Sequence, residues 1–357
     1  MTIAVNLTKH SGTFESAYIG FMIESIRQVA SEFPQHQFSI IANYRVLELE
    51  NVENITVTVI DQPNKNALKK ISYSLKVYNA LNQKSIDCII SAINNFSGKI
   101  KKKQHVFVGN DIVKHISQKE KKSIGNILQK AASIITLGES IQKQIETLFP
   151  EYSLKITHTS LLLNPDYLPV HWKRKEEIKE KFTAEKEYFF IPASTSAIPE
   201  IKNILLAFSI FKKMQKTGMK LMIATSEENI SLTSLLKNYK YRSDVICVYS
   251  LNTEELYEKM ASAYAVLTIS DDTILHTLNS MQAGVPVITC QSDFAKSIFG
   301  EDVLYYDNTH VKTIADQLML LFKDEGKRTE LIEQSVQRAA AYQNKTTTIS
   351  CWNKILS

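Results

Sequence analysis

Apolar residues along this chain fall in short unbroken runs that alternate with stretches of helical period. In the first half the runs lie at 2–7, 37–42, 55–60, 86–92, 105–109 and 133–136. Between the first two, Ile19, Met22, Ile23, Ile26 and Val29 recur on one side of a helix predicted over 16–33, and 66–81 and 142–148 also read as helices. A run without polar alternation is a strand buried on both faces, the condition of a parallel sheet covered by its own crossover helices. The pattern breaks at 163–187, LNPDYLPVHWKRKEEIKEKFTAEKE, where two prolines and dense mixed charge read as a connection between domains plus a short surface helix. It then resumes. Strands are predicted at 188–192, 220–224, 245–249, 265–269, 285–289 and 303–306. Helices are predicted at 200–215, 231–236, 253–262, 270–284, 311–322, 328–342 and 346–356. The expectation is an α/β protein of two doubly wound, Rossmann-like parallel-sheet domains, 1–165 and 172–343, each with a crevice at the carboxyl ends of its strands.

Composition narrows the picture in three ways. With 44% hydrophobic and 22% charged residues among 357, the chain is of a globular kind and long enough for two cores. It holds only 10 glycines, few for a fold that would rely on glycine-rich phosphate loops. The four cysteines, Cys88, Cys247, Cys290 and Cys351, form no CxxC pair and read as buried thiols in a reducing compartment. The N-terminus is a strand pattern without a basic leader, and no apolar run has the ~20 residues of a membrane span, so a cytoplasmic location is expected. The net charge of +5 resides in residues 1–170, which carry 19 Lys and Arg against 14 Asp and Glu. Lys99, Lys101, Lys102, Lys103, Lys119, Lys121 and Lys122 cluster there, a solvated face or a peripheral contact with the inner face of an anionic membrane. Aromatic residues do not interleave with them, which argues against nucleic acid.

The chemistry concentrates at 270–290, SDDTILHTLNSMQAGVPVITC. This reads as a helix opened by two aspartates, closed by Gly284 and followed by an apolar strand. Asp272, His276 and Asn279, at i, i+4 and i+7, share one face. Asp271 and Asp272 are cap candidates, and the stripe by itself suits a solvated face. A helix N-terminus after a strand also offers free N–H groups and a positive dipole end, a seat for a diphosphate. No cluster has metal-ligand spacing.

This stretch, with LNTEELYEKMASAYAVLTIS before it, resembles the signature of the group-one glycosyltransferases, whose two Rossmann-like domains face each other across a cleft (the GT-B fold). NSMQAGVPVIT stands for that family's Glu-Ala-Met-Ala, Gly-x-Pro phrase. FIPASTSAIPEIKNILLAFSIFKK resembles its donor-domain opening, HVFVGNDIV its strand leading to a His-Asp dipeptide, AASIITLGES another of its strands, and CWNKIL its last helix, which crosses back to the first domain. The resemblance runs the length of the chain and is specific from 251 to 289. It implies transfer of a sugar from a nucleotide diphosphate sugar to a sugar or lipid-linked acceptor, with anomeric configuration retained and no cofactor or metal, in polysaccharide or glycoconjugate synthesis. It implies that Asp271 and Asn279 stand where two family glutamates hold the donor sugar and the ribose. Lys202 then neutralises the diphosphate, and Thr273 and Ile274 bind it through backbone N–H groups. Asp272 and His276 line the donor side, with the polar stripe facing the crevice. Asn110 and Asp111 stand near the acceptor, Ser11 and Gly12 in the glycine-loop position, and 344–357 joins the first domain.

Three departures bear on activity: Asp for Glu at 271, uncharged Asn at 279, and no glycines after Asp271. They keep a second reading open, a non-catalytic homologue that binds nucleotide, sugar or a partner glycosyltransferase. A sugar-nucleotide epimerase of similar fold is a third, without assignable acid and base carboxylates.

Overall fold

The computed structural model describes the chain apart from residues 9–16, 45, 47, 48, 50, 51, 63–66, 110–116, 164–166, 194–196 and 357. It divides into two compact units, Met1–Leu162 with Asn344–Ser357, and Leu163–Gln343.

Among the described residues of unit 1, seven parallel strands are β1 (Thr2–Leu7), β2 (Gln37–Ala42), β3 (Ile55–Val59), β4 (Cys88–Ala92), β5 (Lys103–Val108), β6 (Ser133–Leu137) and β7 (Ile156–Thr159). Their order is β3-β2-β1-β4-β5-β6-β7. Helices α1 (Ala17–Glu32), α2 (Ala67–Leu81), α3 (Gln118–Lys130) and α4 (Gly138–Leu148) make the crossovers. The central strands are buried nearly throughout because both faces are covered; β4 is buried at every residue. Two elements have no counterpart in the predicted pattern. Strand β7 reads ITHT and lies at the sheet edge, where half its residues need not be apolar. Helix α3 buries only Leu128 and starts with a reciprocal Ser117–Glu120 capping box, so its lysines mask its period.

Unit 2 has six described parallel strands: β8 (Tyr188–Pro192), β9 (Lys220–Thr225), β10 (Val245–Tyr249), β11 (Ala265–Thr268), β12 (Val287–Cys290) and β13 (Leu304–Tyr306). They lie in the order β10-β9-β8-β11-β12-β13. Its helices are α5 (Trp172–Thr183), α6 (Ile198–Gln215), α7 (Ile230–Lys237), α8 (Thr253–Ala261), α9 (Ile274–Gln282), α10 (Asp293–Phe299), α11 (Val311–Lys323) and α12 (Glu325–Ala341). The apolar side of α6 packs with α11 on one face of the sheet: Phe208, Phe211 and Leu318 join Phe189, Leu221 and Leu267 in one buried cluster. Phe189 and Phe211 meet edge to face at 5.3 Å. Helix α9 lies on the other face, with the Thr277 hydroxyl 2.9 Å from that of Thr268 on β11. The chain leaves β8 toward β9 and β11 toward β12, in opposite directions, so the order reverses between β8 and β11. Right-handed crossovers running opposite ways leave a crevice at the carboxyl ends of that pair.

The last helix, α13 (Thr346–Leu356), belongs to unit 1. Trp352 is fully buried and donates from Nε1 to Ser25 Oγ of α1 at 2.8 Å. Its ring stands edge-on to Phe38 of β2 at 5.9 Å, and Thr159 of β7 bonds Thr348 at 3.0 Å. Where the chain enters and leaves unit 2 it runs side by side: Leu163 N–H donates to Tyr342 O at 3.2 Å. Among the described residues no helix is long and apolar enough to cross a membrane.

Candidate functional site

Three strands end together at the switch point of unit 2, and each delivers a side chain. After β8, Pro199 fits the first turn of α6, where its missing N–H costs nothing, and Lys202 follows on that turn. Lys202 is exposed and forms no hydrogen bond or ion pair with a described residue. After β11 comes a 3-10 turn, Asp271–Thr273, then α9. After β12, Ser292 caps α10 by accepting from Ala295 N–H at 2.9 Å. The sequence pattern gives no element over 291–300, and Ser292 is a site residue it misses. Its one signal is a serine between an apolar run and the short helix DFAKSIF.

The turn that opens α9 is closed on itself. Thr273 N–H donates to Ser270 O at 3.0 Å, its hydroxyl donates to the same oxygen at 2.6 Å, and Ile274 N–H donates to Asp271 O. The sequence reading leaves the Thr273 and Ile274 amides free for a diphosphate; the structure uses both. A 3-10 start bonds i to i+3 and so consumes donors that a direct α start would leave open. What remains for an anion is the positive end of the α9 dipole.

Asp271 is half-buried, and its Oδ1 accepts from the Ser292 hydroxyl at 2.5 Å. The side chain of Asp272 lies outside the described residues. His276 is 7% and Asn279 6% exposed, so the polar stripe is no solvated face. Thr277 on the same helix faces the sheet. Burial lowers the His276 imidazole from 6.5 to about 4, leaving it neutral near pH 7. Asn279 Oδ1 is buried without a hydrogen-bond partner among the described residues. An orphaned carbonyl oxygen costs on the order of 1–3 kcal/mol, so it marks a place that an external donor would satisfy.

The far end of α9 is fixed as well. Gly284 adopts φ +69°, with Gly284 N–H to Met281 O at 3.1 Å and Val285 N–H to Ser280 O at 2.9 Å, a Schellman ending. Below the site, Thr268 bridges hydroxyl to hydroxyl to Thr277 and Thr289, each at 2.9 Å, tying β11, β12 and α9 together.

In unit 1 the order reverses between β1 and β4. There Asn6 and Asn95 donate to each other's backbone oxygens, at 3.3 and 3.0 Å, and Thr8 bonds Asn6 Oδ1 at 2.7 Å. These buried amides are invisible to periodicity. Ser11, Gly12, Asn110 and Asp111 lie outside the described residues. Of the clustered lysines, Lys102 is spent on capping the Gln83 and Ile86 carbonyls. Among the described residues no group of three or more His, Cys, Asp or Glu is placed to hold a metal ion.

Residues 174–338 match the family model described as Glycosyl transferases group 1. Most of unit 2 is thus similar to the group 1 glycosyltransferases, and the whole chain has the fold of two Rossmann-like domains found in such enzymes. That likeness extends over full length to solved structures. HepE of Anabaena, crystallised with UDP and glucose, is 12% identical with a TM-score of 0.76, covering 100% of this chain and 99% of that one. WaaG, a glycosyltransferase involved in lipopolysaccharide biosynthesis, is 13% identical at TM-score 0.75, with 99% of each covered. Sucrose-phosphate synthase from Thermosynechococcus elongatus is 11% identical at TM-score 0.75, with 100% and 98% covered. No curated protein matches the sequence.

Proposed function

We propose that the chain transfers a sugar from a nucleoside diphosphate sugar to a sugar or lipid-linked acceptor in polysaccharide or glycoconjugate synthesis, with retained anomeric configuration and without a metal. The observation that carries the reading is Asn279: a buried Oδ1 without a hydrogen-bond partner among the described residues, on the helix that begins at the switch point of the unit that matches the group 1 glycosyltransferase model. A ribose hydroxyl supplies the donor that atom lacks. In this reading Asp271 holds a hydroxyl of the donor sugar. Lys202 and the α9 dipole stabilise the departing diphosphate, the charge-on-charge role a metal fills elsewhere. Asn110 and Asp111 attend the acceptor, and the exposed lysines Lys119, Lys121 and Lys122 of α3 favour an anionic membrane surface. HepE and its UDP-glucose complex support uridine diphosphate sugars as the first donors to try.

The closed Thr273 and Ile274 amides favour a second reading, a homologue that binds nucleotide or a partner enzyme without transferring sugar. Calorimetric titration with UDP, GDP and UDP-glucose, followed by a sugar-hydrolysis assay, separates the two. Binding with release of free sugar supports the transferase. Binding without turnover supports the second reading, and a folded protein that binds none of the three ends both nucleotide-based readings.

A further inference from the structure

Strands β11 and β12 pair in register through Thr268 and Thr289. Asp271 and Ser292 each lie three residues beyond that pair, so the register itself brings them together, and the Ser292 hydroxyl sits 2.5 Å from Asp271 Oδ1. A serine hydroxyl has one proton to give and lone pairs to receive. One lone pair is taken by Ala295 N–H at 2.9 Å, in the first turn of α10. The acceptor is a carboxylate, which when ionised only accepts. The proton therefore points at Asp271, in a charge-assisted bond of the short kind, backed by a backbone donor.

Resting on the reading of Asp271 as a ligand of the donor sugar, we propose that Ser292 is a positioning residue. It fixes the rotamer of Asp271 so that the remaining acceptor capacity of the carboxylate meets a sugar hydroxyl. Aspartate is shorter than the glutamate the resembling family carries here, with one fewer torsion to order. The hydroxyl anchored on α10 helps to hold it. Specificity for the sugar part of the donor, as distinct from the nucleotide, then depends on a residue that touches neither.

Two measurements test this. The first needs no ligand: thermal unfolding of Ser292→Ala, Asp271→Ala and the double variant. The two single losses in Tm are expected to exceed that of the double variant when summed, because each removes the same bond. Strictly additive losses overturn the contact. The second compares UDP with UDP-glucose by calorimetry. Ser292→Ala is expected to weaken UDP-glucose 5- to 30-fold and change UDP less than 2-fold, while Ser292→Thr, which keeps a hydroxyl, stays within 3-fold of wild type for both. A cap that acted only on the fold would shift both ligands alike, and that outcome, or no shift in either, overturns the positioning role. Wild-type protein that binds UDP but shows no selective loss in Ser292→Ala removes Ser292 alone. Wild-type protein that binds neither ligand removes the transferase reading and the positioning role together.

Discussion

At the scale of single residues, two buried polar groups on α9 are kept in unfavourable states. Asn279 Oδ1 is buried without a hydrogen-bond partner among the described residues, a cost to the fold. Replacing Asn279 by Leu, of similar volume, should raise stability by about 0.5–2 kcal/mol while abolishing UDP binding, since the unsatisfied group disappears with its function. Differential scanning fluorimetry with and without UDP reads both effects; a variant that is less stable and still binds UDP contradicts the assignment. Lys202 is exposed, so Lys202→Ala should leave stability alone and weaken UDP binding by about 1–3 kcal/mol, the scale of a lost charged hydrogen bond. Unchanged affinity by calorimetry would remove it from the site. His276 gives a pH signature. Its folded-state value lies near 4 against 6.5 for the free imidazole, so the unfolded chain binds the extra proton between those values. Stability is unaffected above pH 6.5, falls as pH drops from 6.5 to 4, and loses up to about 3 kcal/mol on this account. His105 in unit 1, also lowered to about 4 by burial, adds a parallel loss there. In His276→Leu the acid slope of unit 2 should flatten, and a denaturant series from pH 7 to 4 that shows the wild-type slope would refute the role of burial.

At the scale of elements, local rules explain how α9 is aimed. Its start is a closed 3-10 turn and its end a Schellman glycine, so neither terminus can slide. Gly284→Ala places a side chain at φ +69°, near Ile332 and Val336 of α12 at 3.8 and 4.0 Å. The expected loss is about 1 kcal/mol from backbone conformation, with room for the methyl itself. A chemical denaturation midpoint unchanged from wild type would show that the helix end relaxes. This scale also separates what could be seen in the sequence from what could not. Strands such as β8 and β11 were legible because double burial demands unbroken apolar runs. Strand β7 and helices α3 and α10 were not, because an edge, a lysine-covered surface or a seven-residue length leaves no period to detect. The position of the candidate site at the opening of α9 rests on a phrase of adjacent residues. The Asp271–Ser292 bond did not, because its partners are 21 residues apart and meet only through strand register. Nor does composition say whether a turn starts as 3-10 or α, the detail that decides which amides are free.

At the scale of the whole molecule, unit 1 is built from two distant pieces of chain. Trp352 and Thr348 on α13 are buried against α1, β2 and β7, all from the first 162 residues. A variant ending at residue 343 should keep the unfolding transition of unit 2 and lose or lower that of unit 1; removing a buried Trp alone costs about 3–5 kcal/mol. A calorimetric trace with both transitions in place would show α13 to be dispensable. Unit 2 interrupts unit 1 as an insertion whose entry and exit are pinned together by Leu163 N–H and Tyr342 O. Synthesis proceeds from the N-terminus, so the piece of unit 1 made first must wait, its Trp352 socket empty, while all 181 residues of unit 2 (163–343) emerge and can fold. The order of birth and the order of completion are therefore reversed. The half of the molecule begun first is the last to be finished, and a ribosome that stalls after residue 343 leaves a folded second unit attached to an unsealed first one.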